Sequence, residues 1–427
     1  MIQILLIVLV VCLLLNVPIA VCLGLGSMAA LHFGNGVSLS LVAQRMITAC
    51  DSTTLLAVPL FIFAGSILSV GGISRKLINF AKSAVGWIPG SLGMVAVLAC
   101  MFFAALSGSG PATVAAIGGI MLPSMIDDGY PIGFSTALIC SAGCIGVIIP
   151  PSIPFVNYAT IAGLSIGDQF MAGMIPGVLM GLALMVVCFV AGKLRGFGQN
   201  VTPFNFRVFC RTFVDSFWAL MMPVIILGGI YGGIFTPTEA AAVACIYGLV
   251  VGYFVYHGFQ LKELIEIAFE SAKTTGMIFF IIATASIFSW ILATEQVPAM
   301  ISEAVLGLTS NKVLILLIIN VLLLINGCFM EMTASTYIYT PILLPIILSL
   351  GMEPLHFGVV MVMNMAIGFI TPPLGIHLFV GVGLDKRVIF NDLVRNIIPM
   401  FLSLVVVLML VTYFEGISMF LVDILGS

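Results

Sequence analysis

Ser107, Gly108, Ser109, Gly110 and Pro111 interrupt an apolar run, and the stretch NGCFMEMTAST at 326–336, with Gly327, Thr333 and Ser335, interrupts another. Two further interruptions are double prolines, IIPPS at 148–152 and ITPPL at 370–374. What such places offer is hydroxyl oxygens and, wherever a helix is broken, unpaired backbone groups. Freed carbonyls at a helix C-terminus carry partial negative charge and suit a small hard cation, while freed N–H groups at an N-terminus suit an anion. Glycine permits a tight turn, and proline suits the first turn of a restarting helix because it has no N–H to leave unpaired.

The surroundings define the solvent. Of 427 residues, 62% are hydrophobic and 7% charged, and the mean hydropathy is +1.29. That leaves too little polar surface to cover a water-soluble globule, so the chain reads as an all-α polytopic membrane protein in a lipid bilayer. The opening MIQILLIVLVVCLLLNVPIAVCLGLG lacks a basic start and a small-residue cleavage site, and reads as a retained part of the fold. A formal net charge of −3 gives no reason to expect nucleic acid as a partner. The cysteines are scattered without CxxC or Cys/His spacing and read as small buried hydrophobes.

A shift of about 222 residues aligns landmarks of the two halves. MLPSMIDDGYPIGF at 121–134 matches LLPIILSLGMEPLHF at 343–357, GVIIPPS at 146–152 matches GFITPPL at 368–374, and MIPG at 174–177 matches IIPM at 397–400. A first repeat over 1–192 then holds scaffold helices at 1–52, a helix at 53–72, a hairpin at 92–126, a broken helix at 131–166 and a closing helix at 174–192. A basic cytoplasmic loop follows at 193–212. The second repeat, 213–427, holds scaffold helices at 213–273, the last of them an amphipathic connector at 258–273, then a helix at 274–294, a hairpin at 312–350, a broken helix at 355–384 and a closing helix at 396–425.

Lys and Arg accumulate in cytoplasmic loops, which puts Arg75, Lys76 and Lys82, then Lys193, Arg195, Arg207 and Arg211, then Lys386, Arg387 and Arg395 inside. This requires both hairpins to enter and leave on one face. Each half then crosses an odd number of times, the second repeat is inverted relative to the first, and both termini are periplasmic.

Backbone at membrane depth survives an interruption only when buried in protein or lining a polar cavity. Here each repeat pairs a hairpin tip with a double-proline break, the architecture of ion-coupled secondary transporters. On this topology the 14 Lys and Arg fall in loops, connectors or helix ends. An anionic substrate would therefore depend on helix N-termini, on hydroxyls such as Ser107, Ser109, Thr113, Thr333 and Ser335, and on co-bound cations. Carbonyl and hydroxyl oxygens around glycine-rich turns suit Na⁺, whereas a proton carrier needs a buried titratable group.

At these same residues the sequence resembles a known family. SGSGPATVAAIGGIMLPSM, GVIIPPSIPFVNYATIAGLSIGDQFMAGMIPG, GGIYGGIFTPTEAAAVACIYGLVVG and HFGVVMVMNMAIGFITPPLGIHLFVGVGL are similar to the large membrane subunit, DctM-like, of tripartite ATP-independent periplasmic (TRAP) transporters. The resemblance covers essentially the whole chain. It implies a bacterial inner-membrane protein that works with a small four-helix membrane subunit and a periplasmic substrate-binding protein. It implies uptake of an organic acid driven by two or more Na⁺ ions, with hairpins and broken helices moving as an elevator. Carried over residue by residue, it implies one sodium site from Ser107, Gly108, Ser109 and Gly110 with Gly146 and Pro150. A second would use Gly327, Thr333 and Ser335 with Gly368, Thr371 and Pro372. Substrate would lie near Pro111, Thr113, Ser152 and Pro373. Overall resemblance favours sialic acid over a C4-dicarboxylate.

Other conspicuous residues have structural readings. Thr236, Pro237 and Glu239 spell a capping box. Glu331 reads either as a helix-end cap or as a group near the site. His377 reads as a satisfied buried histidine before a proton relay. Asp51 and Glu295 fall at outer helix ends, and Trp87, Trp218 and Trp290 near membrane boundaries. Three rivals remain: an intramembrane serine hydrolase with Ser109 as nucleophile and His377 as base, which lacks a GxSxG motif; a channel; and a stand-alone divalent-anion symporter needing no partners.

Overall fold

A computed structural model describes residues 1–15, 17–34, 38–70, 73–88, 90–198, 203–309 and 311–426. Expected helix ends at 16, 35 and 71–72, residues 36–37 of the first scaffold region, residues 199–202 of the basic loop and residue 427 lie outside the described residues. In the first half, α1 (Ile2–Leu14) and α2 (Ile19–Gly34) form a pair, followed by α3 (Leu39–Cys50), α4 (Ala57–Val70) and α5 (Ile73–Val85). Then come a hairpin of α6 (Ser91–Ser107) and α7 (Gly110–Asp127), a broken helix of α8 (Ile132–Gly143) and α9 (Ile153–Ala162), and α10 (Ile166–Arg195). The second half runs α11 (Phe206–Tyr231), α12 (Pro237–Val250), α13 (Leu261–Thr294) and α14 (Val297–Leu308). It continues with a hairpin of α15 (Lys312–Phe329) and α16 (Met332–Ser349), a broken helix of α17 (Pro354–Gly368) and α18 (Ile376–Leu384), then α19 (Phe390–Tyr413) and α20 (Gly416–Leu425).

The described residues contain no strand. By length and composition seven of their helices are able to cross a membrane, or eight if the bent pair at 40–50 and 54–70 counts as one span. The chain is an all-helical, multi-pass membrane protein.

Local chemistry sets the boundaries. Glu239 Oε2 accepts from Thr236 N at 2.8 Å and Glu239 N donates back to Thr236 Oγ1 at 3.3 Å, the capping box read from the sequence. Ser165 caps α10, Asn205 caps α11 and Asn311 caps α15, each accepting from a backbone N–H of the first turn.

Several expected boundaries are corrected. The amphipathic connector at 258–273 and the helix at 274–294 are one continuous helix, α13, of 34 residues. Thr274 Oγ1 turns inward to Glu270 O at 2.9 Å and Gly276 lies in open space, so nothing forces a break. In the first half the chain does break after Asp51, with a 63° bend before α4. The basic stretch after residue 72 is helix α5, not loop: Ile73, Leu77, Ile78, Phe80 and Ala81 are buried, while Arg75, Asn79 and Lys82 share an exposed face. Helix α14 is likewise additional. Helix α10 starts at Ile166, ahead of the expected 174, and α11 starts at Phe206, so Arg207 and Arg211 sit on its first turns and the basic loop is shorter than 193–212. The second closing helix is divided in two at Phe414.

The first arms of the two broken helices form the centre. Every residue from Gly133 to Gly143 in α8 and from Leu355 to Gly368 in α17 is buried. The hairpins wrap them, α6 and α7 on α8, and α15 along α17. The second arms then cross over: α9 packs on α16, and α18 on α7 and α8. Outside this bundle, α4 and α5 meet α6, while α13 and α14 meet α16. Polar contacts stitch the halves at depth. Tyr158 donates to Pro354 O at 2.7 Å, Gln169 Nε2 to Leu355 O at 3.1 Å, and Cys144 Sγ to Ala366 O at 3.0 Å.

This junction is close-packed at Gly358, where a Cβ would press on the Tyr158 ring and stand 2.7 Å from Gln169 Oε1. Gly358→Ala is expected to destabilise the purified protein by about 1–3 kcal/mol, as overpacking does. Thermal unfolding in detergent checks this against Gly119→Ala, whose added Cβ meets nothing within 4 Å.

Candidate functional site

At the first tip, α6 stops because Gly108 takes a left-handed conformation, φ 59°, which a side chain disfavours. Ser109 is extended, and α7 restarts with Gly110 and Pro111. The hydroxyls turn inward. Thr113 Oγ1 donates to Ser109 O at 2.8 Å and lies 3.2 Å from Ser107 Oγ, which accepts from Ser109 N at 3.4 Å. Opposite them, α8 tightens into a 3₁₀ turn at Cys144–Val147 before the double proline. Ser152 then caps α9, accepting from Phe155 N at 3.3 Å and donating to Val147 O at 2.6 Å.

Tip and break touch. A Cβ on Gly146 would stand 2.7 Å from Thr113 Oγ1 and 2.9 Å from Ser109 O, and one on Gly108 would meet Pro151 O at 2.5 Å. Ser107, Gly108, Ser109, Gly110 and Gly146 are thus brought together with the double proline. The carbonyl against the tip is that of Pro151, next to the expected Pro150.

The second tip is built differently. Glu331 caps α16, its Oε2 accepting from Ala334 N at 3.0 Å and its Oε1 from Thr333 Oγ1 at 3.0 Å, so the helix-end reading of this residue describes its contacts. Asn326, which no motif in the sequence marks, donates to Ser335 Oγ at 2.7 Å. Against this tip, a Cβ on Gly327 would stand 2.8 Å from Met365 O and 3.1 Å from the Gly368 Cα. Cys328 Sγ donates to Thr371 O at 3.0 Å, and Thr371 Oγ1 to Ile367 O at 3.0 Å. Gly327, Gly368 and Thr371 therefore meet, Ser335 joins through Asn326, and Thr333 is held by Glu331.

The two breaks differ in access. Pro150, Pro151 and Ser152 are buried, whereas Pro372 and Pro373 are exposed. Of the expected substrate residues, Thr113 and Ser152 give their hydroxyls to the packing of the first tip and break. Pro111 is half-buried. Beyond the second broken helix, outside the spanning segments, the Arg387 guanidinium hydrogen-bonds Asp385 and holds its carboxyl down at about 2.

Apart from the Glu331 carboxylate that caps α16, the oxygens gathered at both places belong to neutral carbonyls and hydroxyls. No group of three or more His, Cys, Asp or Glu positioned for a metal occurs among the described residues. Backbone carbonyls and hydroxyls of this kind suit a singly charged hard cation better than a transition metal.

Residues 6–417 match the family described as tripartite ATP-independent periplasmic transporter, DctM component. An isethionate TRAP transporter permease protein of Oleidesulfovibrio alaskensis is 47% identical over 96% of this chain, which spans 64% of that relative's length. The C4-dicarboxylate TRAP transporter large permease protein of Pseudomonas aeruginosa is 43% identical over 95% of the chain and 94% of its own. The sialic acid TRAP transporter large permease protein of Vibrio cholerae is 37% identical over 96% of the chain and 95% of its own. Among solved structures, the Alcanivorax borkumensis YdaH transporter superposes with a TM-score of 0.65 at 17% identity, covering 90% of this chain and 89% of that one, a likeness of fold alone.

If the tip-and-break contacts form cation sites, a methyl group between them weakens binding. Gly146→Ala and Gly368→Ala are each expected to raise the NaCl concentration for half-maximal thermal stabilisation by about tenfold, the equivalent of about 1.4 kcal/mol. Choline chloride at equal ionic strength is the control. An unchanged midpoint in both variants would contradict the assignment.

Proposed function

The chain belongs to the DctM component family of tripartite ATP-independent periplasmic transporters, and from that premise we propose that it carries a small organic anion across the bacterial inner membrane by sodium symport. The observation that supports this most is the pairing of each hairpin tip with a double-proline break, each pair gathering carbonyl and hydroxyl oxygens. Ser107, Gly108, Ser109, Gly110, Gly146 and the Pro150–Pro151 pair would hold one Na⁺. Gly327, Thr333, Ser335, Gly368, Thr371 and Pro372 would hold another. The anion would bind near Pro111, Thr113, Ser152 and Pro373, with the ions offsetting its charge. Each net positive charge carried inward gains about 2.3 kcal/mol per 100 mV of membrane potential, so excess Na⁺ concentrates the anion.

The two halves act as inverted repeats with both termini periplasmic, and the central bundle of hairpins and broken helices moves as an elevator against the outer helices. That motion has its sliding surfaces on α6 and α16, where the outer helices touch the bundle. A small four-helix membrane subunit and a periplasmic substrate-binding protein are the partners. For the substrate, the isethionate and C4-dicarboxylate relatives, at 47% and 43% identity, weigh towards a compact anion over sialic acid, whose relative stands at 37%.

The test is uptake into proteoliposomes holding this chain and its small subunit, with isethionate, succinate and sialic acid each offered with and without its binding protein, under an inward Na⁺ gradient or none. Uptake is expected for a compact anion, only with both Na⁺ and binding protein. Uptake of free substrate without a binding protein would make the chain a stand-alone symporter. Uptake indifferent to Na⁺ would remove both cation sites.

A further inference from the structure

We propose that His377 is a positioning residue that couples the two tip-and-break pairs, so that an ion at one is felt at the other; the inference rests on the sodium-symport reading above. His377 is the second residue of α18, directly after the second break, and is fully buried. Its backbone N donates to Phe369 O at 3.1 Å, closing the loop that contains Thr371, Pro372 and Pro373. Its ring packs edge-on against Phe369, with centroids 5.2 Å apart.

The same imidazole reaches the other half. Nδ1 lies 3.1 Å from Cys140 O, and because a carbonyl only accepts, Nδ1 carries the hydrogen and donates it. Cys140 Sγ returns a bond to His377 O at 3.1 Å, so α8 and α18 are clasped by a reciprocal pair. Nε2 is left with a lone pair and no hydrogen-bond partner among the described residues. It is pressed against the first residue of α7: a Cβ on Gly110 would run into Nε2 and stand 2.7 Å from Cε1. A helix N-terminus carries partial positive charge, so a lone pair there is attracted and a longer or bulkier group is not accommodated.

One side chain therefore spans the second break, the first broken helix and the first tip. A buried, close-packed strut cannot let one end shift alone. Movement of the 369–375 loop on ion binding displaces Gly110, and ordering of Ser107–Gly110 holds that loop in turn. The two ion sites then bind cooperatively, and linkage makes the effect reciprocal.

The experiment is initial uptake rate against Na⁺ concentration at saturating substrate, in the reconstituted complex with its partners. His377→Asn keeps a donor for Cys140 O but is too short to reach Gly110. The wild type is expected to give a sigmoid curve. In His377→Asn the curve should become less steep, keeping only the shallow sigmoid that two required but independent ions give, and its midpoint rise about fivefold or more, with substrate KM at saturating Na⁺ unchanged within about twofold. His377→Gln, whose longer amide spans more of the gap, should restore part of the sigmoid response. Gly110→Ala pushes on the same contact from the other side and should shift the midpoint likewise; because Gly110 also belongs to the first ion site, His377→Gln carries the test if His377→Asn fails to fold. In the double variant the two shifts should fall short of additive. A lowered maximal rate with an unshifted Na⁺ curve would reduce His377 to a packing residue and overturn the inference, as would a hyperbolic wild-type curve. Those results leave sodium symport standing, whereas Na⁺-independent wild-type uptake would remove the symport reading itself.

Discussion

An unpaired backbone N–H or C=O in hydrocarbon costs several kcal/mol, and that one constraint organises this molecule. At both hairpin tips and both double prolines the helices are interrupted inside the bundle, and in each case the interruption is pressed against another. Gly108 lies on the Pro151 carbonyl, Gly146 on Ser109 and Thr113, and Gly327 on Gly368. Glycine at these contacts is a requirement of distance, since a single Cβ would fill the gap. What these contacts gather inside is a set of carbonyl and hydroxyl oxygens, the donors that the proposed cation sites would use.

Around these contacts the rest of the fold acts as a housing. Helices α8 and α17 are buried from Gly133 to Gly143 and from Leu355 to Gly368 because hairpins and the crossed second arms cover them. The crossing matters for function as well as stability. With α9 on α16 and α18 on α7, neither half can rearrange its break without moving the hairpin of the other. The Tyr158, Gln169 and Cys144 bonds to the backbone of α17 fix that relationship at depth. An assembly linked this way fits the elevator motion proposed above.

Much of this was legible in the sequence because glycine, serine and proline clusters inside apolar runs have few physical uses. The hairpins, the double-proline breaks and the Thr236–Glu239 box all lie where residue chemistry put them. Local charge misled in two places. Arg75, Lys76 and Lys82 read as a loop, yet the apolar residues between them at helical spacing make α5. The charged connector before residue 274 suggested a break, yet α13 runs through because threonine bonds to its own helix and no proline intervenes. Contacts between distant residues were beyond reach. Nothing near Pro151, Asn326 or His377 announces that they meet Gly108, Ser335 and Gly110, since only the folded packing of tip on break, of the two arms of one hairpin and, for His377, of opposite halves creates those pairs.

The claim that the tips and breaks are cation sites is tested most directly by equilibrium binding of radioactive sodium to the purified chain. The account requires saturable binding of more than one ion per chain, with one ion lost in Gly146→Ala and a different one in Gly368→Ala. Absence of saturable binding, or full binding retained in both variants, would contradict it.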